Sequence, residues 1–259
     1  MENNLIRYLE ELSLNAHPSL QTQHYDGWVL RFANGYTSRA NSVNPLYPSV
    51  IALNEKVEEC EKRYFSHGLP CIFKVTEDNV QMLDELLQDR GYEVVTPTDV
   101  MIADLTDKQF NVSDSIMTER VTEEWLNTYL TLEKYTDPLT CETEAQICRS
   151  IQNDTLYCYI KRDEKNIACA SAVMENGYVY IANVIVDETY RGNGYGRQLC
   201  ESLLSQAKNK GAHTAYLQVV QGNEIATNLY KTLGYEKMYS YWYRRKKERT
   251  HRNNDNQQT

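Results

Sequence analysis

The chain has 259 residues, 41% of them hydrophobic and 24% charged, with a formal net charge of −9. These are the values of a folded chain with room for two ordinary domains or one large one, and they exclude a disordered one. Acids and Arg7 interrupt the opening twenty residues, and the longest apolar run, 178–186, falls far short of the ~18 residues of a membrane span. A soluble, cytoplasmic protein with no membrane partner is the expectation.

In chain order, residues 3–15 space Leu5, Leu9 and Leu12 for one face of a short helix. Asp26-Gly27 opens the strand Trp28–Phe32, and Asn34-Gly35 predicts a hairpin turn into a second strand over 36–43. Arg39, Asn41 and Asn44 are polar for such a strand and are candidates for an active cleft or a solvated edge. Asn54 is placed to cap a helix carrying Val57, Cys60 and Tyr64, closed by Gly68-Leu69-Pro70. A strand at 71–75 follows, then a helix marked by Val80, Leu83, Leu86 and Leu87 and stopped by Gly91, then a strand over 92–103.

The polar stretch 104–115 reads as a domain boundary, giving an N-terminal domain over 1–107 and a second over 115–247. Helices are expected over 119–134 and 142–152, and strands over 156–161 and 167–174. The strand 178–186 is apolar without alternation, as for a central strand covered on both faces. A glycine-rich turn, 187–196, then leads into a helix carrying Leu199, Cys200, Leu203, Leu204 and Ala207. A strand over 214–220, a helix over 223–233 and one or two closing strands over 235–245 complete the pattern. Ile225, Ala226, Leu229, Tyr230 and Leu233 are expected on one side of that last helix. The remainder, 248–259, is expected to be a loose tail.

Two segments resemble each other: Leu86–Glu93 and Leu229–Glu236 both end in Gly-Tyr-Glu, 143 residues apart. Each is preceded by a helix-ending glycine, a strand and an asparagine (Asn79, Asn223). The alternative is that strand–helix–Gly-Tyr is merely a common local arrangement. The first half has no glycine in 47–54, where the second has its glycine turn, and Leu87 stands where Tyr230 stands.

That turn has the chemistry of an anion site. Glycines let a ligand approach the main chain, and the first helical turn offers unpaired N–H groups and a partial positive charge, to which Arg191 adds its own. No Lys-Ser or Lys-Thr follows to make a P-loop, and Arg197 and Leu199 occupy positions where a dinucleotide fingerprint needs glycine. What stands is Arg191-x-x-Gly194-x-Gly196 after a long apolar strand. This resembles the coenzyme A loop of the GNAT superfamily of N-acetyltransferases, and the whole plan resembles bacterial two-domain members with a degenerate, non-catalytic N-terminal half. The resemblance is strong over 155–245, moderate over 20–105 and weak between.

The resemblance implies an α/β (α+β) fold of tandem GNAT-like domains, each with a mixed sheet flanked by helices. It also implies a splayed strand pair that admits acetyl-CoA as cosubstrate, with no metal. Arg191, Gly192, Asn193, Gly194, Tyr195 and Gly196 then hold the diphosphate, main-chain groups of Val184, Ile185 and Val186 meet the pantetheine arm and thioester, and Asn223 contacts the coenzyme. Tyr230 is the implied general acid. For the base, Glu175 and a water chain both stand open, since the central strand offers Asn183 but no carboxylate. Asn183, Arg39 and Asn41 are assigned to the acceptor.

The acceptor class is open among a small amine, an antibiotic, a peptide N-terminus and a protein lysine, and a monomer and a homodimer fit equally. A non-catalytic acyl-CoA sensor is the alternative to an enzyme. Seven cysteines without a C-x-x-C pair point to reduced, mostly buried thiols and no zinc. Residues 244–259 hold six Lys/Arg against Glu248 and Asp255, so the body carries 21 basic and 34 acidic residues. An acidic body argues against nucleic acid and favours a cationic amine, with the basic run read as a solvated end rather than an RNA-binding tail.

Overall fold

The computed structural model describes residues 2–77, 81–112 and 114–248; Asn79, Val80 and the tail from 249 lie outside the described residues. A helix α1 (Glu2–Ala16) opens the chain, followed by β1 (Gln21–Tyr25), β2 (Trp28–Phe32), β3 (Val43–Pro45), α2 (Leu53–Phe65), β4 (Cys71–Thr76), α3 (Gln81–Asp89) and β5 (Glu93–Asp104). Then come β6 (Ile116–Thr118), α4 (Glu123–Leu132), α5 (Pro138–Ser150), β7 (Asp154–Arg162), β8 (Lys165–Glu175), β9 (Tyr178–Val186), α6 (Tyr195–Asn209), β10 (Thr214–Val220), α7 (Glu224–Thr232) and β11 (Glu236–Lys246). A 3-10 turn, Glu188–Tyr190, lies between β9 and α6.

All the strands join one mixed sheet in the order β1-β2-β3-β4-β11-β5-β10-β9-β8-β7-β6. The last strand, β11, is inserted between β4 and β5, and β5 in turn separates β11 from β10. The connection at 105–115 therefore does not divide the sheet. It is pinned to the later elements: Lys108 Nζ donates to Leu233 O, and Lys208 Nζ donates to Thr106 O and Lys108 O.

The repeat is visible in backbone geometry. Tyr92 N donates to Leu87 O and Tyr235 N to Tyr230 O, closing α3 and α7 around Gly91 and Gly234. Leu69 N donates to Tyr64 O and Ala212 N to Ala207 O, closing α2 and α6 around Gly68 and Gly211. Each second member is displaced from the first by 143 residues, and each is the same left-handed glycine cap satisfying helix-end carbonyls. Glu93 pairs with Arg245 and Glu236 with Ile102, so β5 and β11 face each other across a local two-fold.

Each copy packs its helices on one face of its strands. Val57, Cys60 and Tyr64 of α2 and Leu83 and Leu87 of α3 pack on Trp28, Leu30 and Phe73. Leu199, Leu203 and Leu204 of α6 and Tyr230 of α7 pack on Ala170, Ile181 and Leu217. On the opposite face α1 lays Leu9 and Leu12 over Val100, Val173, Tyr216 and Tyr239, bridging both copies.

Several local expectations are corrected. The β1–β2 hairpin turns at Asp26-Gly27, and 36–42 forms no strand; β2 instead pairs with the short β3, Leu30 opposite Val43. The reason is Asn41, whose Oδ1 accepts from Ala33 N and Gly35 N and whose Nδ2 donates to Thr37 O, folding 33–41 into a compact loop. Asn54 is not the cap of α2: Ala52 is, and Asp26 accepts from Val50 N and Ile51 N just before it. Ile225 is exposed on the first turn of α7. One strand, β11, closes the fold, and the basic run is partly built into it. Arg244 is buried, donating from Nε and Nη2 to the two carboxylate oxygens of Asp84 at 2.7 Å, and Lys246 pairs with Glu61 at 2.8 Å.

Candidate active site

Parallel strands β9 and β10 pair only through Thr214–Tyr216 against Tyr178–Tyr180. Beyond that point β10 stays with β5 as far as Val220 opposite Thr98, while β9 stays with β8 as far as Val186 opposite Ala168. The two strands therefore part, and one edge of β9 from Ile181 to Val186 is left without a strand neighbour. Along that edge Val186 O accepts from Arg191 Nε, and an edge without a strand neighbour is the opening that main-chain recognition of a linear arm requires.

A bulge sets which side chains face which way. Cys169 lies opposite Ile185 and Ser171 opposite Ala182, so Asn183 and Val184 together oppose Ala170. Asn183 takes the left-handed conformation, φ 55°, and its Nδ2 donates to Ser171 Oγ at 3.2 Å. The extra residue flips the alternation: Val179 and Ile181 pack toward α6, and so do Val184 and Val186, while Ile185 turns to the α4 side. Asn183 also lines the cleft.

The glycine turn begins at Asp187, which is held in place by its N–H to Ile167 O and by Lys165 Nζ at 2.6 Å. Those donors, Lys165 first and then Thr189, keep its carboxyl well below the usual range. Arg191 Nε donates to Val186 O, tying the turn to the end of β9, and Asn193 Nδ2 donates to the carbonyls of Tyr190 and Arg191. Gly192 and Gly194 lie at φ 80° and 81°, where a side chain is strained, with open space around the position of a Cβ. Gly194 is the N-cap of α6, and Gln198 N is the first amide to find a carbonyl a turn back, at Gly194 O. The amides of the first turn before it have no carbonyl a turn back, and residues 191–194 beside them are exposed. Gly196 serves packing: a Cβ there would meet Leu229 Cδ2 at 3.3 Å.

Where the strands part, a cleft of about 330 Å³ opens, lined by Ile181–Val184, Val220, Tyr230 and, from the first half of the chain, Thr37–Arg39. Tyr230 is 8% exposed, and burial pushes its phenol up, away from ionisation at neutral pH. Arg39 donates from Nη1 to Tyr180 OH at 3.2 Å, and its own carbonyl accepts from Arg31 Nη1 at 2.6 Å.

Three assignments do not come to the cleft. Glu175 stands at the far end of β8, opposite Tyr178, with its carboxylate accepting from Asn15 Nδ2 at 3.1 Å. The β8–β9 hairpin turns there, on the closed side of the splay. Asn41 is buried and spends its amide on the 33–41 loop, so it shapes the loop that presents Arg39. Asn223 caps α7, its Oδ1 accepting from Ala226 N at 3.2 Å, and does not line the cleft.

The sequence reading missed Glu133, the one carboxylate among the described residues lining the cleft. It follows the last turn of α4, with Lys134 left-handed at φ 60° and Tyr135 N returning to Leu130 O. Burial pushes its carboxyl up, against the opposing pull of Arg39. Its signal was only a helix end without glycine. Tyr129, Tyr180, Tyr241 and Tyr243 complete the walls, from elements far apart in sequence.

Residues 4–244 match the family described as "Probable histone acetyltransferase Rv0428c C-terminal". The chain is 28% identical over 247 residues to "Uncharacterized N-acetyltransferase YobR" of Bacillus subtilis, covering 93% of this chain and 99% of that one. It is 29% identical over 84 residues to a ribosomal protein bS18-alanine N-acetyltransferase of Haemophilus ducreyi, covering 32% of this chain and 58% of that one. A GCN5-related N-acetyltransferase from Kribbella flavida has the same fold, with TM-score 0.69, 17% identity and coverage of 92% and 94%. So does a tandem GNAT protein from the clavulanic acid pathway, with TM-score 0.63, 11% identity and coverage of 92% and 87%. The chain belongs to the Rv0428c C-terminal acetyltransferase family of the GNAT superfamily and is an N-acetyltransferase.

Proposed function

We propose that the protein moves an acetyl group from acetyl-CoA directly to a primary amine, using the later half of the chain for the chemistry and the first half, 1–107, as a non-catalytic partner. The observation that carries this is the parting of β9 from β10 above the Arg191–Gly196 turn. The open edge of β9 at Val184, Ile185 and Val186 suits the amide-bearing arm of the coenzyme. The glycine turn over 192–196, exposed as far as Gly194, the helix dipole and Arg191 suit its diphosphate. Asn223 is assigned to the coenzyme through the amide edge that capping leaves over.

Tyr230 is the acid in this reading. Its phenol stays protonated because burial opposes the phenolate, and it lines the cleft beside β9. Glu133 takes over the role of base from Glu175, because it is the carboxylate at the cleft. Asn183 orients the substrate from the bulge. Acceptors named for relatives include an alanine of ribosomal protein bS18.

Titration calorimetry with acetyl-CoA tests the reading directly. Saturable heat at a single site is expected, lost when Gly194 is replaced by Val. Absence of heat from folded protein overturns it.

A further inference from the structure

The cleft holds a cation and an anion that do not meet. Arg39 and Glu133 are the charged side chains lining it among the described residues. No carboxylate among those residues lies within the 4.0 Å ion-pair distance of Arg39, although Glu133 is close enough for its charge to be felt. The side-chain partner of Arg39 is a neutral phenol, Tyr180 OH. A guanidinium stays charged, and holding one among tyrosines, with Glu133 and Glu144 felt only beyond ion-pair distance, sacrifices solvation that an incoming anion restores.

The placement is built. Arg31, itself buried, grips Arg39 O, and Asn41 folds the loop behind it. The remaining N–H groups of the guanidinium form the planar fork that pairs with a carboxylate through two bonds. At about 330 Å³ the cleft is the size of a small-molecule site.

We propose that Arg39 binds a carboxylate of the acceptor, so that the amine acetylated belongs to a small amino-carboxylate, an amino acid or a short derivative of one. This rests on the acetyl-CoA reading above. The ammonium gives one proton to the Glu133 carboxylate, and the freed amine attacks the thioester carbonyl carbon. As the C–N bond forms the C–S bond breaks, and the leaving thiolate takes the Tyr230 proton. The surplus proton on nitrogen restores the phenol, and Glu133 releases its proton to solvent.

The test is thiol release from acetyl-CoA with amino acids, ω-amino acids and dipeptides, each against its carboxamide. We expect the acids to exceed their amides, and Arg39→Gln to lower kcat/KM on the acids by about 100-fold, chiefly through KM. The acid-to-amide ratio then falls toward one, and Arg39→Lys restores part of it. Circular dichroism melting checks that both variants fold. Amides or plain amines used as well as acids overturn the proposal. So does a preference that survives Arg39→Gln, turnover of protein amines alone, or no turnover of either series by protein that binds acetyl-CoA. Absence of acetyl-CoA binding instead overturns the underlying reading.

Discussion

In the proposed mechanism Tyr230 and Glu133 divide the proton work, and their environments push both groups toward their protonated forms. A buried phenol keeps its proton until it is asked for, so Tyr230→Phe is expected to lower kcat by about 100-fold with little change in acetyl-CoA affinity, as read by thiol release and calorimetry. Glu133 must be ionised to accept a proton. Because burial raises its carboxyl, the rate should climb with pH through a value above that of an ordinary glutamate, and Glu133→Gln should remove that acid limb. A pH profile of kcat/KM that stays flat from pH 5 to pH 8 at about constant ionic strength would exclude Glu133 as base.

At the scale of elements, the site is made by two departures from regularity: a bulge in β9 and a left-handed cap on α6. Deleting Asn183 would leave Ile181, Val184 and Val186 in strict alternation on the α6 side but remove the bulge and the side chain that lines the cleft, so acetyl-CoA binding should fall more than the melting temperature. The glycines separate conformation from packing. Gly194→Ala meets open space but a φ of 81°, so it should cost about 1 kcal/mol and loosen the coenzyme. Gly196→Ala has an unexceptional φ and meets Leu229 Cδ2 at 3.3 Å and Val186 Cγ2 at 3.8 Å, both side-chain ends, so calorimetry should find the smaller loss there.

For the whole molecule, the exchange of final strands makes each half depend on the other. The β11 strand is the neighbour of β4, and β5 is the neighbour of β10. The two pieces from a cut within 108–114 should each fail to fold alone and should reassemble when co-expressed, as judged by a shared cooperative melt. Asp84 and Arg244 tie α3 to β11 across 160 residues. Asp84→Ala strands a buried guanidinium and should lower unfolding free energy in urea by about 3 kcal/mol. The Arg244 donors hold the Asp84 carboxyl below its ordinary value. Its stabilisation is therefore present above the unfolded carboxylate value and lost as pH falls through the lower folded one. The variant should show a correspondingly weaker acid dependence.

Local chemistry was enough to read much of this from residues alone. The apolar run 178–186 is β9 to the residue, the glycine turn opens α6, and the offset of 143 recurs in four helix caps. Each of these depends on neighbours within a few positions, through side-chain periodicity, left-handed glycines and short capping bonds. Glu133 facing Arg39, the displacement of Glu175 to the closed end of the sheet, and the insertion of β11 between β4 and β5 left no such mark. They arise from pairing between strands more than a hundred residues apart and from a one-residue bulge that redirects the side chains beyond it. Such pairings are chosen by the burial of whole faces, a quantity that exists only once the chain has closed on itself.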